Sequence, residues 1–442
     1  MTTTLQDSLQ FKIKQISIMS KGGGVDVSPM YDEINVYDSL FMPMMSGNIL
    51  ITDTVGLSST LRFDGSEVIL IDIEKSPGFI PFTKSFRIYK QTDRKNVNQS
   101  TEKYVLHFIS DEFVFSTQQK VNQSYQTTYS DVAKKILANY LKLENNHKGI
   151  IEESLGIRKV VIPNLPPLEA IEWCAKRSVD NNNAPSFVFF SNIFGYNYVS
   201  LSTLIKNESI LKINFDPKNL TNNDALSEMS SARSYEILVQ NDSIDRIRSG
   251  VNSGRFIGFD PITRSLGEKV ITFDDHYGSV DHLNNTPNRP EIFNKDNTTN
   301  LSSVDSRKVL SIFGTNRKNS SYIKKYDSDS ISKTEPYENF LFQRKAIFKN
   351  LIARRMKVVM PGNFQLTSGF NVEVLTSGFK SKSKNSENEE VTLNGKYLIV
   401  AARHTITHNK HETLIEIATD STNDTQVYTS NPQQNELLKR SQ

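Results

Sequence analysis

From Phe11 to Phe115 apolar and polar residues alternate with a period of two, the spacing of half-buried β-strands. Phe11, Ile13, Ile16 and Ile18 open one such run, which stops at Lys21-Gly22-Gly23-Gly24. Val68 to Glu74 is a β-branched run with interspersed acids, and Phe86 to Tyr89 and Tyr104 to Phe108 continue the pattern. Short strands with frequent turn signals predict an antiparallel sandwich or barrel. The period then lengthens. Ser130 or Thr128 can cap a helix that carries Val132, Ile136, Leu137, Tyr140 and Leu141 on one face. Pro166-Pro167 suits the first turn of a second helix, with Leu168, Ile171, Cys174, Ala175 and Val179 as its apolar positions. Phe187 to Phe190 and Tyr198 to Leu201 read as a hairpin, so residues 127–205 form a compact α+β insertion.

Strand patterning resumes around Tyr235 to Val239, and Gly250 to Phe273 reads as a hairpin turning at Asp260-Pro261. Asp274 to Glu335 is rich in Asn, Asp and Ser and reads as long surface loops. A third helix is predicted from Tyr337 to Arg355, with Phe340, Leu341, Ile347, Phe348, Leu351 and Ile352 as its apolar stripe. Strand patterns follow at Lys357 to Met360, Asn371 to Leu375, Lys396 to His404 and Leu414 to Ala418, with Lys380 to Glu390 as a charged loop. Ser46-Gly47 to Thr54 and Gly369 to Thr376 share a feature: each is a Gly followed by an alternating strand.

The chain has 442 residues, room for two to four domains at roughly 100–200 residues each. Hydrophobic residues at 37% and aromatic residues at 10% suffice for packed cores and argue against disorder. A formal net charge of +3 is too mild to signal nucleic acid binding. Cys174 is the single cysteine, which excludes an intramolecular disulfide and a cysteine-based zinc site. The opening MTTTLQDSLQ lacks the basic and apolar regions of a signal peptide, and no apolar run approaches the ~18 residues of a membrane span.

Four segments run in an order that carries a resemblance. Tyr31 to Leu40 leads into Phe41-Met42-Pro43-Met44-Met45-Ser46-Gly47 and on to Leu57, an alternating strand, an apolar bend and a Gly-led second strand. Ile162-Pro163-Asn164-Leu165-Pro166-Pro167-Leu168 opens a helix. Lys357-Val358-Val359-Met360-Pro361-Gly362, with Leu366 and Gly369, opens a late strand pair. Gly395 to Val400 and His411 to Ile417 form a closing hairpin. In this order they resemble the baseplate central hub protein of T-even-like contractile-tailed bacteriophages, and none of them is a catalytic motif.

The resemblance implies a β-rich α+β chain with two similar antiparallel β-barrel tube domains. Residues 1–126 would form the first, completed by part of 206–249, with 127–205 as the inserted α+β domain. Residues 250–336 would be a loop-rich β region, 337–425 a helix plus the second tube domain, and 426–442 a polar tail. It further implies a non-enzymatic homotrimer in the virion baseplate, assembled in the host cytoplasm, that matches a six-fold tail tube to a three-fold spike. The implied partners are the tube protein, the trimeric spike, baseplate wedge proteins and DNA passing without sequence-specific contact, with no cofactor and no membrane insertion. The alternatives are a spike-hub subunit of a related injection machine and a cell-wall hydrolase.

Candidate chemistry is sparse. Lys21 to Gly24 lacks the Lys-Ser/Thr end and helix of a phosphate loop, so a hairpin turn is the better reading. His404, His408 and His411 are the most ligand-like group. A hairpin turning at Asn409-Lys410 would bring His408 and His411 together as metal candidates, against a plain polar turn. Ser330 and Lys333 match a Ser-x-x-Lys spacing without its supporting motifs. Asp53 with Asp64, or Glu67 with Asp72, could serve as an acid pair, although their context favours solvated faces. Arg344, Lys345, Lys349, Arg354 and Arg355 make the third helix basic: a solvated face, or a surface for acidic neighbours or for DNA. Phe41, Met42, Met44 and Met45 form an apolar bend suited to a core or to an adaptable contact. The interface candidates are therefore Phe41, Met42, Met44, Met45, Arg344 and Lys345.

Overall fold

The computed structural model describes residues 11–21, 23–61, 63–75, 79–143, 149–215, 228–240, 242–260, 264–288, 304–312, 337–376 and 393–423. The N-terminal strands are β1 Phe11–Ser20, β2 Gly23–Asp26, β3 Tyr31–Ser39, β4 Ser46–Asp53, β5 Val68–Lys75, β6 Phe82–Asn98 and β7 Thr101–Ile109. Alternation does what it predicts here: Gly47, Ile49, Ile51 and Asp53 of β4, and Ile69, Ile71 and Ile73 of β5, all turn to one buried face. They meet Ile16, Ile34, Phe86, Leu106 and Phe108 in the first core. Each large apolar side chain among them contributes roughly 1.5–3 kcal/mol on burial. Phe113 to Phe115, read above as strand, lie in the helix Asp111–Thr117, whose first turn holds Asp111 and Glu112. Carboxylates there complement the exposed N–H groups of a helix start.

The insertion follows its pattern closely. It holds β8 Ser124–Thr127, β9 Arg158–Val161, β10 Phe187–Asn192 and β11 Gly195–Ser200, with helices Tyr129–Leu141, Pro167–Ala175 and Leu201–Lys206. Thr128, not Ser130, is the cap of the first helix and accepts from the Asp131 N–H at 3.3 Å. Ser130 is buried, and its backbone N–H donates to Ser154 Oγ at 3.0 Å.

Two further strands, β12 Ser209–Asn214 and β13 Ser234–Val239, correct the assignment of part of 206–249 to the first unit. β12 pairs in parallel with the later strand Asn371–Leu375, and β13 pairs antiparallel with Arg354–Pro361. Local alternation identifies a strand but does not name its partner. β14 Ser253–Asp260 and β15 Ser265–Thr272 form the expected hairpin, and β16 Thr286–Pro287 and β17 Arg307–Ile312 follow. β17 adds in parallel to β14, so the stretch from Asp274 to Glu335 is not all loop. It also contains most of the helix Phe273–Tyr277, started by a Thr272–Asp275 capping box. Ser330 and Lys333 lie outside the described residues, as does the loop from Lys380 to Glu390.

The helix Tyr337–Leu351 ends before Arg355 because Arg354 already opens the next strand, where Arg355 meets Glu416 at 2.9 Å. The last strands are β18 Arg354–Pro361, β19 Asn371–Leu375, β20 Gly395–Thr407, β21 His411–Thr419 and β22 Ser421–Thr422. They build a separate core from Ile213, Met356, Val358, Leu366, Val372, Ile399, Ile415 and Ile417.

A single 13-stranded sheet runs β13-β18-β21-β20-β3-β4-β7-β6-β5-β1-β2, with β12 and β19 attached beside β20. The chain is β-rich with helices, but no described sheet closes on itself, so the pairing is not that of two closed barrels. One strand joins the halves. β20 pairs with β19 over Gly395 to Leu398, then with β3 over Ala401 to Thr407. Asp38, fully buried beside this join, accepts hydrogen bonds from Thr367 Oγ1 at 2.8 Å and the Ser368 N–H at 2.7 Å. Burial pushes its carboxyl up to about 6. A further core of Leu40, Val188, Phe190, Leu204, Ile347, Leu351, Leu398 and Val400 ties the insertion and the long helix to the same join.

Gly47 tests how tightly this sheet is packed. A Cβ there would collide with the Asn35 carbonyl oxygen and the ring of Phe108. Gly47→Ala should therefore destabilise the fold by about 1–3 kcal/mol, seen as a lower urea midpoint. An unchanged midpoint would mean that β4 can move off its neighbours at little cost.

Candidate functional site

The sequence candidates separate into three places. Phe41, at the end of β3, comes together with Arg344 and Lys345 around a groove of about 520 Å³. Its other walls are Val188 and Phe189 of β10, Glu172 and Lys176 near the end of the insertion helix, and Arg307 and Val309 of β17. On the long helix, Arg344 and Lys345 stand four and three residues before Phe348, so all three share one face. Phe41 meets Phe348 edge-on at 6.1 Å, and the Arg344 guanidinium lies 4.5 Å from the same ring. Arg344 also donates to the Pro185 carbonyl at 3.0 Å. Phe41 is 46% exposed, a large side chain held at the lip of the groove.

Met42 and Met44 line a second depression of about 370 Å³, over Tyr37, Ala401, Arg403 and Leu414. Met45 is different: it is buried in the first core, because alternation from the bend turns it inward. It offers no surface to a partner.

The hairpin of β20 and β21 does turn at Asn409-Lys410, but it does not join His408 to His411. His408 is exposed in the turn and packs on Tyr31 at 4.5 Å. His411 points inward, opposite Ile406, with its ring 5.8 Å from that of His404 and 4.5 Å from Phe364. His404 and His411 share the inward face because 404, 406 and their cross-strand partners 413 and 411 have the same parity. Lys75, also buried, donates to the Gly362 carbonyl near this pair. Its ammonium opposes a bound cation there, and among the described residues no group of three or more His, Cys, Asp or Glu could hold a metal.

The acidic candidates are engaged locally. Asp53 accepts from the N–H groups of Val55, Gly56 and Ser58 at 2.8–3.0 Å. Burial would raise its carboxyl, but these donors outweigh that and hold it below the usual range. Glu67 accepts from the Gly65 N–H at 3.0 Å, and Asp72 from Thr83 Oγ1 at 2.8 Å. Lys21 lies in the β1–β2 hairpin turn, next to the paired Ser20 and Gly23.

The pattern reading missed one surface. β13 is the outermost strand of the large sheet, and its Tyr235, Ile237 and Leu238 are all exposed. The signal was present: Ile237-Leu238-Val239 puts adjacent apolar residues on opposite faces of a short strand. An exposed apolar edge is a template for pairing with another chain.

No family model matches the chain, and no curated relative matches it. Its fold is shared with solved tail proteins. One is the tail protein from Neisseria meningitidis MC58, with a TM-score of 0.52 and 11% identity, over 92% of this chain and 96% of that one. Another is the 43 kDa tail protein of prophage MuSo2 from Shewanella oneidensis, with a TM-score of 0.50 and 9% identity, over 92% and 98%. At these identities the likeness is one of fold. Among the described residues no helix is long and apolar enough to cross a membrane.

The buried imidazoles give a pH dependence. Burial lowers His404 to about 3 and holds His411 well below the ordinary value, with His404 and Lys75 adding to the shift. Below about pH 6.5 the unfolded chain takes up protons that the folded chain refuses, so stability falls with falling pH. Each imidazole contributes up to about 1.4 kcal/mol per pH unit. His404→Gln should flatten the decline of the urea midpoint between pH 6.5 and 5 by one imidazole's share, while His411 and the buried His276, lowered to about 4, keep theirs. A slope identical to the parent would show that His404 is protonated in the folded state.

Proposed function

We propose that this chain is a non-enzymatic structural hub of a contractile phage tail, acting as a trimeric ring between a six-fold tube and a three-fold spike. The observation that carries the reading is the arrangement of the large sheet. One chain presents two strand units with separate cores on one continuous sheet, so three chains present six units around a ring. Closed ring symmetry requires each chain to offer one edge to the next, and β13 and β2 stand at the two ends of the sheet. The exposed Tyr235, Ile237 and Leu238 suit the first of these contacts. The fold shared with two tail proteins supports the same reading.

In this role the chain does mechanical work and no chemistry. The two units act as tube domains, each offering an equivalent surface to the tube, while the three-fold axis of the ring accepts the spike. The ring surrounds the channel through which DNA leaves the virion, and its outer face meets wedge proteins. The trimer assembles in the host cytoplasm and works in the baseplate. Interfaces of this kind are large and obligate, above roughly 2,000 Å².

Sedimentation equilibrium tests the reading. The purified chain, alone or with its spike, should run as three copies of 50.2 kDa. Ile237→Lys, on the outer strand, should leave a folded monomer, since a buried unpaired charge at such an edge costs several kcal/mol. A parent chain that stays monomeric even with a trimeric spike would overturn the proposal.

A further inference from the structure

We propose that the groove between Phe41 and the basic face of the helix Tyr337–Leu351 seats an acidic protein segment anchored by an apolar side chain. The occupant is taken to be a different protein of the tail assembly, and to that extent the inference rests on the hub reading.

The groove is large enough for such a segment: about 520 Å³ lies within the roughly 300–1,000 Å³ of clefts that bury most of a drug-sized molecule, more than one side chain needs. Its floor is apolar, made by Leu40, Val188 and Phe348, with Phe41 held half-exposed at the lip. A partner's apolar side chain laid against Phe41 and Phe348 would be desolvated, the setting in which a few contacts carry most binding energy.

The rim is cationic. Lys176, Arg307, Arg344 and Lys345 surround the floor, and among the described residues the one acid lining it, Glu172, is engaged by Lys176 at 2.6 Å. The acid that attracts the Lys345 ammonium, Asp245, is already engaged by Lys349 at 2.8 Å. Partial burial, Arg307 and Lys349 all hold the Lys345 ammonium below its ordinary range, with Asp245 opposing only in part. Crowded like charges are relieved when a partner brings carboxylates.

Position separates this occupant from a second copy of the chain. Leu40 and Phe41 follow β3, which lies four strands from β13 and six from β2 in the large sheet. At about 4.8 Å per strand these are roughly 19 and 29 Å along the sheet. A ring built through its edges leaves the groove open. Chemistry separates it from nucleic acid: a phosphate backbone would use the rim and leave the apolar floor empty.

Fluorescence anisotropy with the full chain tests the inference, using a labelled peptide of alternating Glu and Leu with one Phe. Saturable binding is expected, weakened at least tenfold by Phe41→Ala and by Lys345→Glu and unchanged by Lys95→Glu on the distant β6. No saturable binding, or binding indifferent to Phe41→Ala, would overturn it. Displacement of the peptide by an equal concentration of a 20-base-pair duplex would also overturn it, in favour of a nucleic acid surface. Sedimentation of the same samples keeps the two proposals apart. A trimer that ignores the peptide sinks only the groove assignment, and a monomer that binds it sinks only the hub reading.

Discussion

β20 belongs to two units at once, and the rest of the molecule is arranged around that constraint. Its first residues hydrogen-bond to β19 and its last to β3, on the same edge, while β21 occupies the other edge. A bulge between Ile399 and Ala401 marks the crossover, and there the Val400 carbonyl accepts from the Leu40 N–H at 2.8 Å. Backbone groups at a buried crossover must all be paired. The two units therefore cannot separate without leaving polar groups bare, and the sheet behaves as one body with two cores.

The polar contacts around the crossover follow from the same demand. Asp38 closes the gap between β3 and the loop before β19 by accepting from Thr367 and Ser368. Asn371, at the start of β19, donates to the Leu204 and Asn207 carbonyls at 2.7 and 2.8 Å and so fixes the end of the insertion. Asn284 donates to the Lys396 carbonyl and accepts from the Lys396 N–H, holding part of the loop-rich region on β20. Segments far apart in sequence are thus fastened around the crossover, one to β3, one to β19 and one to β20 itself, by hydrogen bonds and not by apolar area alone. The groove beside Phe41 is a by-product of this geometry, since the insertion, β17 and the long helix all converge where β3 ends.

How much could be read from the chain varied with the range of the interaction. Most strands from Phe11 to Phe108 and from Met356 to Ile417 were legible because alternation is a local property and, away from the crossover, one face of the sheet is more buried than the other. Two helices of the insertion were legible from their own period, but the choice between Thr128 and Ser130 as cap was not, and neither was the short helix Leu201–Lys206. The candidate surface was half legible. Phe41, Arg344 and Lys345 could be named as residues that want a partner, but not that they share one groove with Arg307 and Lys176, which stand far away in the sequence. Met45 stayed open between core and contact because a bend of four apolar residues does not reveal which one turns inward.

The sequence by itself determined where most strands and the two longer insertion helices form, which of their faces are apolar, and that a single cysteine cannot pair within the chain. Those properties depend on residues within a few positions of one another. Only the tertiary structure decided that β12 and β13 belong with the C-terminal strands, that His411 meets His404 and not His408, and that two units become one sheet. Each of those outcomes is a choice of partner across a long loop. Strand pairing is carried by backbone groups that every residue possesses, so side-chain pattern cannot specify it; packing and the need to satisfy the crossover do.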